Sequence, residues 1–215
     1  MGKNKNLSRV EVKGLEALFY DQLLLLGTAG LYQPLLKRVI MNMNIQPQDK
    51  ILDMGAGTGK NACLMRSYLS DNGEIIGLDI GEIMIKKFTR KCGKFENVNI
   101  LKHSIKDPIP FNDYFTKVFI SFVIHGFDQN GREKIIHNAY NVLKQGGKLF
   151  IFDWAEFDLD KSGPFIKFFM RHIECPLAID FIKRDFKDTL KRVGFKNNRE
   201  IHFAGNKIRL LIGEK

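Results

Sequence analysis

The chain has 215 residues, 44% of them hydrophobic, and carries a formal charge of +10 at neutral pH. That size and apolar content suit one domain around one substantial core. No stretch approaches the roughly 18–20 apolar residues of a membrane-spanning helix, and the start of the chain lacks the apolar segment of a secretory signal.

The first 12 residues are polar and rich in Lys and Asn. Met1-Gly2 opens like a myristoylation signal, but Asn6 stands where that signal carries Ser or Thr. Apolar residues at helical spacing predict helices over 12–26 and 31–43. Pro47 and Asp49 then mark the entry to a strand over 50–54. Helix 58–70, strand 74–79, helix 81–92 and strand 98–103 follow, and after them strand 116–122, helix 130–144 and strand 147–153. Asn72-Gly73, the turn ending at Gly131 and Gly146-Gly147 punctuate the series. Such alternation implies a parallel sheet covered on both faces. Beyond Asp153 it stops. Residues 155–184 are rich in Phe and broken by Gly163-Pro164 and Pro176. A helix over 185–193 leads to strands 199–204 and 207–212 around Gly205-Asn206, which read as an antiparallel hairpin.

The densest signal is Lys50-Ile-Leu-Asp-Met-Gly-Ala-Gly-Thr-Gly-Lys60, an apolar strand running into a glycine turn with a helix directly behind it. Glycines allow backbone angles that a Cβ forbids and let the chain approach a ligand closely. A second strand ends in Asp79, about twenty residues on, and this is the layout of a nucleoside-binding α/β half-domain. The spacing argues against a pyrophosphate ligand. Gly55, Gly57 and Gly59 alternate strictly, one residue short of the dinucleotide fingerprint, and Gly59-Lys60-Asn61 lacks the Ser or Thr of a P-loop.

These motifs resemble those of class I S-adenosylmethionine-dependent methyltransferases. The resemblance runs over nearly the whole folded length and is closest to the type 11 group typified by ubiquinone/menaquinone C-methyltransferases. Ile51 to Gly59 matches its first motif and Gly77-Leu-Asp-Ile80 its second. Asp107-Pro-Ile-Pro-Phe111 is similar to its post-strand segment, and Asn141 to Leu149 to its Leu-Lys-Pro-Gly-Gly signature, with Gln145 in place of proline. Tyr20-Asp21 resembles the pair in its N-terminal helix. Two departures stand out: His103-Ser104 where the family commonly has an acid, and Thr116-Lys117 where relatives have Phe-Asp.

The resemblance implies one α/β domain over 1–215: a Rossmann-like, seven-stranded, mostly parallel sheet with helices on both faces and a C-terminal antiparallel hairpin. A helical cap over 1–46 and an aromatic-rich lid over 155–184 complete it. It also implies S-adenosyl-L-methionine as cofactor, S-adenosyl-L-homocysteine as product, and no metal. Asp53, Gly55, Ala56, Gly57, Thr58 and Gly59 would hold its methionine portion and adenosine, with Asp53 helping to receive the amino group. Asp79 would take the ribose hydroxyls, and Ile80 and Met84 would flank the adenine. Ser104 and Ile105 would meet the adenine edge, with Ser121 closing the site at the end of strand four.

On the acceptor side, His125 is a candidate general base or orienting group, and Asp153 and Tyr20 are candidate partners. His125 could equally fix its loop, and Asp153 could equally cap a turn. The Phe-rich segment reads either as core or as a lid over an apolar chamber. The expected acceptor is a small apolar or aromatic molecule, quinone-like or lipid-like. Residues 86–106 hold seven Lys or Arg against Glu96 alone, an excess that could attract nucleic acid or anionic lipid or simply keep the chain dissolved. An RNA-modifying methyltransferase and a non-catalytic binding protein are therefore alternatives, with nucleic acid the less favoured partner. Arsenite methylation needs clustered thiols, and Cys63, Cys92 and Cys175 are scattered, so a reduced, cytoplasmic monomer or homodimer is expected.

Overall fold

The computed structural model describes residues 32–215. Tyr20 and the expected helix over 12–26 lie outside them. Chain order is α1 (Tyr32–Asn42), β1 (Lys50–Met54), α2 (Lys60–Arg66), β2 (Glu74–Asp79), α3 (Glu82–Cys92), β3 (Val98–Lys102) and β4 (Phe115–Ser121). After a short 3-10 turn (Ile124–Gly126) come α4 (Gln129–Val142), β5 (Leu143–Trp154), α5 (Pro164–His172), α6 (Pro176–Phe181), α7 (Phe186–Val193), β6 (Lys196–Phe203) and β7 (Ile208–Glu214).

The seven strands form one sheet in the order β3-β2-β1-β4-β5-β7-β6. The first five are parallel, and β7 runs antiparallel to both β5 and β6. Strands β1, β4 and β5 are apolar on both faces because helices cover both faces, and alternate residues divide between two cores. Leu52, Val118 and Ile151 face one side, against Ile135, Ile136 and Ala139 of α4 and Leu190 of α7. Ile51, Phe119 and Phe150 face the other, against Leu36, Val39 and Ile40 of α1 and Phe88 of α3. Strand order reverses at β1, whose neighbours are β2 and β4, so a crevice opens beyond the carboxyl ends of these strands.

The sequence places most elements within a few residues. Helix α2 is shorter than the expected 58–70 because Thr58 and Gly59 belong to the turn, with Gly59 at φ 80°. Strand β5 begins earlier than expected, at Leu143, with a register shift against β4 between Phe115 and Lys117. The Thr116-Lys117 departure has a local cause at the amino edge of the sheet. Lys117 Nζ lies 2.8 Å from buried Asp49, and the Thr116 hydroxyl donates to the same carboxylate at 2.7 Å. That network is structural, remote from the ligand edge.

Three scattered thiols were expected, but Cys63 on α2 and Cys92 at the end of α3 are joined as a disulfide, with Cα atoms 6.0 Å apart. Packing of α2 on α3 unites residues that are 29 apart in sequence. Cys175 is free and buried. Among the described residues no helix is long and apolar enough to cross a membrane.

Candidate functional site

The glycine turn is built by β1 and fastened to β2. The Gly55 and Ala56 N–H groups both donate to the Leu78 carbonyl at 2.9 Å. Gly55, Gly57 and Gly59 all take positive φ, at 81°, 53° and 80°, where a Cβ is disfavoured. Their surroundings differ. A Cβ on Gly59 would lie 2.8 Å from Phe88 Cδ2 and 3.0 Å from Cys92 Sγ, whereas one on Gly57 would meet nothing within 4 Å. Gly59 therefore serves packing, and Gly57 borders open space.

Asp79 organises that space. Its Oδ2 accepts from the Gly57 N–H at 2.9 Å and its Oδ1 from the Gly81 N–H at 2.8 Å. A carboxylate has about four acceptor positions, so both oxygens keep capacity for further donors such as ribose hydroxyls. Met84 is buried beneath Gly81, and Ile80 is 38% exposed beside it. Ile105 is buried and Ser104 half-buried on the loop after β3. The His103 N–H donates to the Asp79 carbonyl, which ties that loop to the same strand end. Thr58 is buried, and its hydroxyl receives Lys91 Nζ at 3.1 Å.

Asp53 is the anomaly of the turn. It is fully buried, and neither carboxylate oxygen has a hydrogen-bond partner among the described residues. Burial, with the charge of Asp79 adding to it, pushes its carboxyl up to about 7. An unsatisfied buried carboxylate is costly unless a cationic or donor group arrives. The α-ammonium and sulfonium of S-adenosylmethionine supply such charge, so the residues present fit that cofactor. Ser121 Oγ, at the end of β4, is likewise buried and unpartnered.

The raised Asp53 value sets the sign of a pH effect. Between the ordinary carboxyl range and about 7, the folded state holds a proton that the unfolded chain has released, so stability falls as pH rises. Holding that proton in the folded state is worth at most ~4 kcal/mol. Asp53→Asn is therefore expected to match the parent near pH 4 and to exceed it at pH 8. Urea unfolding midpoints across that range check this, and a constant difference between the two proteins would refute it.

A second cluster occupies the carboxyl ends of β4 and β5. His125 Nδ1 lies 2.7 Å from Asp153 Oδ1, and His125 Nε2 lies 3.5 Å from Glu174 Oε2. Trp154 Nε1 donates to Glu174 Oε1 at 3.1 Å. Arg132, fully buried, donates to the carbonyls of His125 and Leu177 and pairs with Asp180 at 2.7 Å, which fixes the 3-10 turn against α6. Desolvation lowers the proton affinity of His125, but Asp153 and Glu174 outweigh it and hold the ring well above its ordinary value. These carboxylates favour the charged ring, which suits the orienting role named for His125, whereas the general-base role needs the ring neutral. Asp153 caps this turn, its two oxygens receiving the His125 and Trp154 backbone N–H groups, and it also meets the His125 ring.

Glu174 is the residue that the sequence reading missed. It lies 49 positions from His125, and only the fold brings the two together.

A sheet in this order, with a glycine turn leaving β1 and an acid ending β2, is the architecture of the class I S-adenosylmethionine-dependent methyltransferases. Comparison with known proteins agrees. Residues 51–147 match the model of a family described as a methyltransferase domain. The chain is 30% identical over 125 residues to the ubiquinone/menaquinone biosynthesis C-methyltransferase of Wigglesworthia glossinidia brevipalpis, covering 56% of this chain and 49% of that one. To the protein of the same name from Vibrio campbellii it is 23% identical over 239 residues, covering 100% and 91%. A crystal structure of a SAM dependent methyltransferase from Aquifex aeolicus superposes with a TM-score of 0.62 at 20% identity, covering 83% of this chain and 88% of that one. The chain thus spans about half the length of the Wigglesworthia relative and most of the Vibrio one. Residues 51–147 thus carry a methyltransferase domain, and the fold around them is that of S-adenosylmethionine-dependent methyltransferases.

Proposed function

We propose that the protein transfers a methyl group from S-adenosylmethionine to a small apolar or aromatic acceptor of the quinone or lipid kind. The observation that carries this reading is the buried, unpartnered Asp53 beside a glycine turn ordered by Asp79. When bound, the cofactor supplies an electrophilic methyl on a sulfonium. The chain's task is then alignment and exclusion of water, which can contribute several kcal/mol to lowering the barrier.

Asp79 and Gly57 would hold the adenosine, and Asp53 the amino end. His125 and Asp153 stand at the acceptor-facing ends of β4 and β5 and would orient an acceptor oxygen. The rings of Phe122, Trp154 and Phe169 continue from them, with centroid spacings of 6.0 Å, and supply an apolar wall. The curated C-methyltransferases named above favour a carbon acceptor on a quinone precursor. The lid helix α5 supports an acceptor drawn from a bilayer: Phe165 and Phe168 are 72% and 57% exposed, and Lys167 lies between them in sequence. Such a face suits peripheral contact with anionic lipid.

Titration calorimetry with S-adenosylhomocysteine is expected to give one binding event. Methyl transfer from radiolabelled S-adenosylmethionine is expected with hydroxylated aromatic or demethylated quinol acceptors and not with bulk tRNA. No heat in the first experiment would end the methyltransferase reading. Transfer to tRNA alone would replace the acceptor with RNA. Co-sedimentation with anionic liposomes at low salt tests the membrane contact, and an unbound protein there would remove it.

A further inference from the structure

We propose that His125, Glu174 and Cys175 form a binding site for a late first-row divalent cation, zinc above all, at the acceptor-facing end of β4 and β5. One ligand atom from each of the three lies within 4.8 Å of the others. Tetrahedral zinc with nitrogen, oxygen and sulfur ligands places those atoms roughly 3.3–3.8 Å apart, given bonds of about 2.0–2.3 Å. The Nε2 to Oε2 separation is already 3.5 Å.

The surrounding contacts are those that orient metal ligands. A ligating histidine ordinarily gives its other ring N–H to a carboxylate, which fixes the tautomer and turns the free nitrogen toward the metal. Here Nδ1 meets Asp153 Oδ1 at 2.7 Å, which leaves Nε2 on the side of Glu174. Glu174 is held in turn, with Oε1 accepting from Trp154 Nε1 and Oε2 from the Cys175 N–H. Cys175 is buried and free, at the start of α6. Two carboxylates, from Asp153 and Glu174, stand around one imidazole beside the Cys175 sulfur. A divalent cation offsets the carboxylate charge better than a single proton does.

Imidazole with thiolate favours zinc over magnesium or calcium, which take oxygen ligands. Three protein ligands are one short of the four that zinc takes, so the fourth position is open to water or to a hydroxyl or thiol of the acceptor.

Cobalt(II) is the probe. Protein stripped with a chelator and titrated with cobalt(II) is expected to bind one equivalent and to show a thiolate-to-cobalt charge-transfer band in the near ultraviolet. Cys175→Ser should lose that band and bind cobalt at least 10-fold more weakly. The Cys63→Ser/Cys92→Ser double variant should keep both. S-adenosylhomocysteine binding by Cys175→Ser reports whether that variant is folded, and His125→Ala, expected to bind cobalt at least 10-fold more weakly, is the second test if it is not. An intact protein without the band, a band that survives in Cys175→Ser, or one that disappears in the double variant would each overturn the site.

Discussion

Asp79→Ala is expected to weaken S-adenosylhomocysteine binding by at least about 100-fold. Two charge-assisted hydrogen bonds to ribose hydroxyls, at about 1.5–3 kcal/mol each, account for that much alone. The loss has a second source in the protein itself. Asp79 receives the Gly57 and Gly81 N–H groups, so alanine releases both the glycine turn and the entry to α3. Asp79→Asn separates the two contributions. Its amide oxygen can still receive one N–H group while the charge is gone, so an intermediate loss of about 10-fold is expected. Calorimetry on folded protein, with far-ultraviolet circular dichroism as the control, measures both variants. Unchanged affinity in Asp79→Ala would separate this acid from the cofactor, and the functional reading would fall with it.

How far this site could be read from the sequence depended on the distance along the chain between its parts. Asp53, the three glycines and Asp79 fall within one strand–turn–helix–strand unit, where local spacing and backbone conformation carry the information. The parallel sheet was legible for the same reason, since strands buried on both faces are written as apolar runs. The hairpin followed from Gly205-Asn206, where Ala204, Gly205 and Asn206 all take positive φ. Contacts made across the sheet were not legible. His125 and Asp153 could be placed at one edge, but their 2.7 Å pairing and the part of Glu174 depend on how residues 164–181 fold back over it. The aromatic segment was ambiguous because its residues divide: Met170 and Phe181 are buried while Phe165 and Phe168 are exposed. The Cys63–Cys92 pair was hidden by the packing of two helices against each other.

The largest contrast is expected between two substitutions in one turn. Gly57→Ala should cost only about 1 kcal/mol in stability, the penalty for a Cβ at positive φ, because no atom lies within 4 Å of the new methyl. That methyl projects into open space beside the turn, where the proposed cofactor would lie, so cofactor affinity should fall by an order of magnitude or more. Gly59→Ala meets Phe88 and Cys92 instead. Phe88 is 1% exposed and also presses on Gly77, and Cys92 is tied to Cys63, so neither neighbour can yield cheaply. Strain and overpacking together should cost about 2–4 kcal/mol. Thermal melts and calorimetry on the pair should therefore cross, with one variant stable but weakly binding and the other unstable in proportion to its packing. If Gly57→Ala bound S-adenosylhomocysteine as tightly as the parent, the open side of the turn would not be where the cofactor lies. The crevice would then have to be sought on the other side of β1, toward Ser121 and β4.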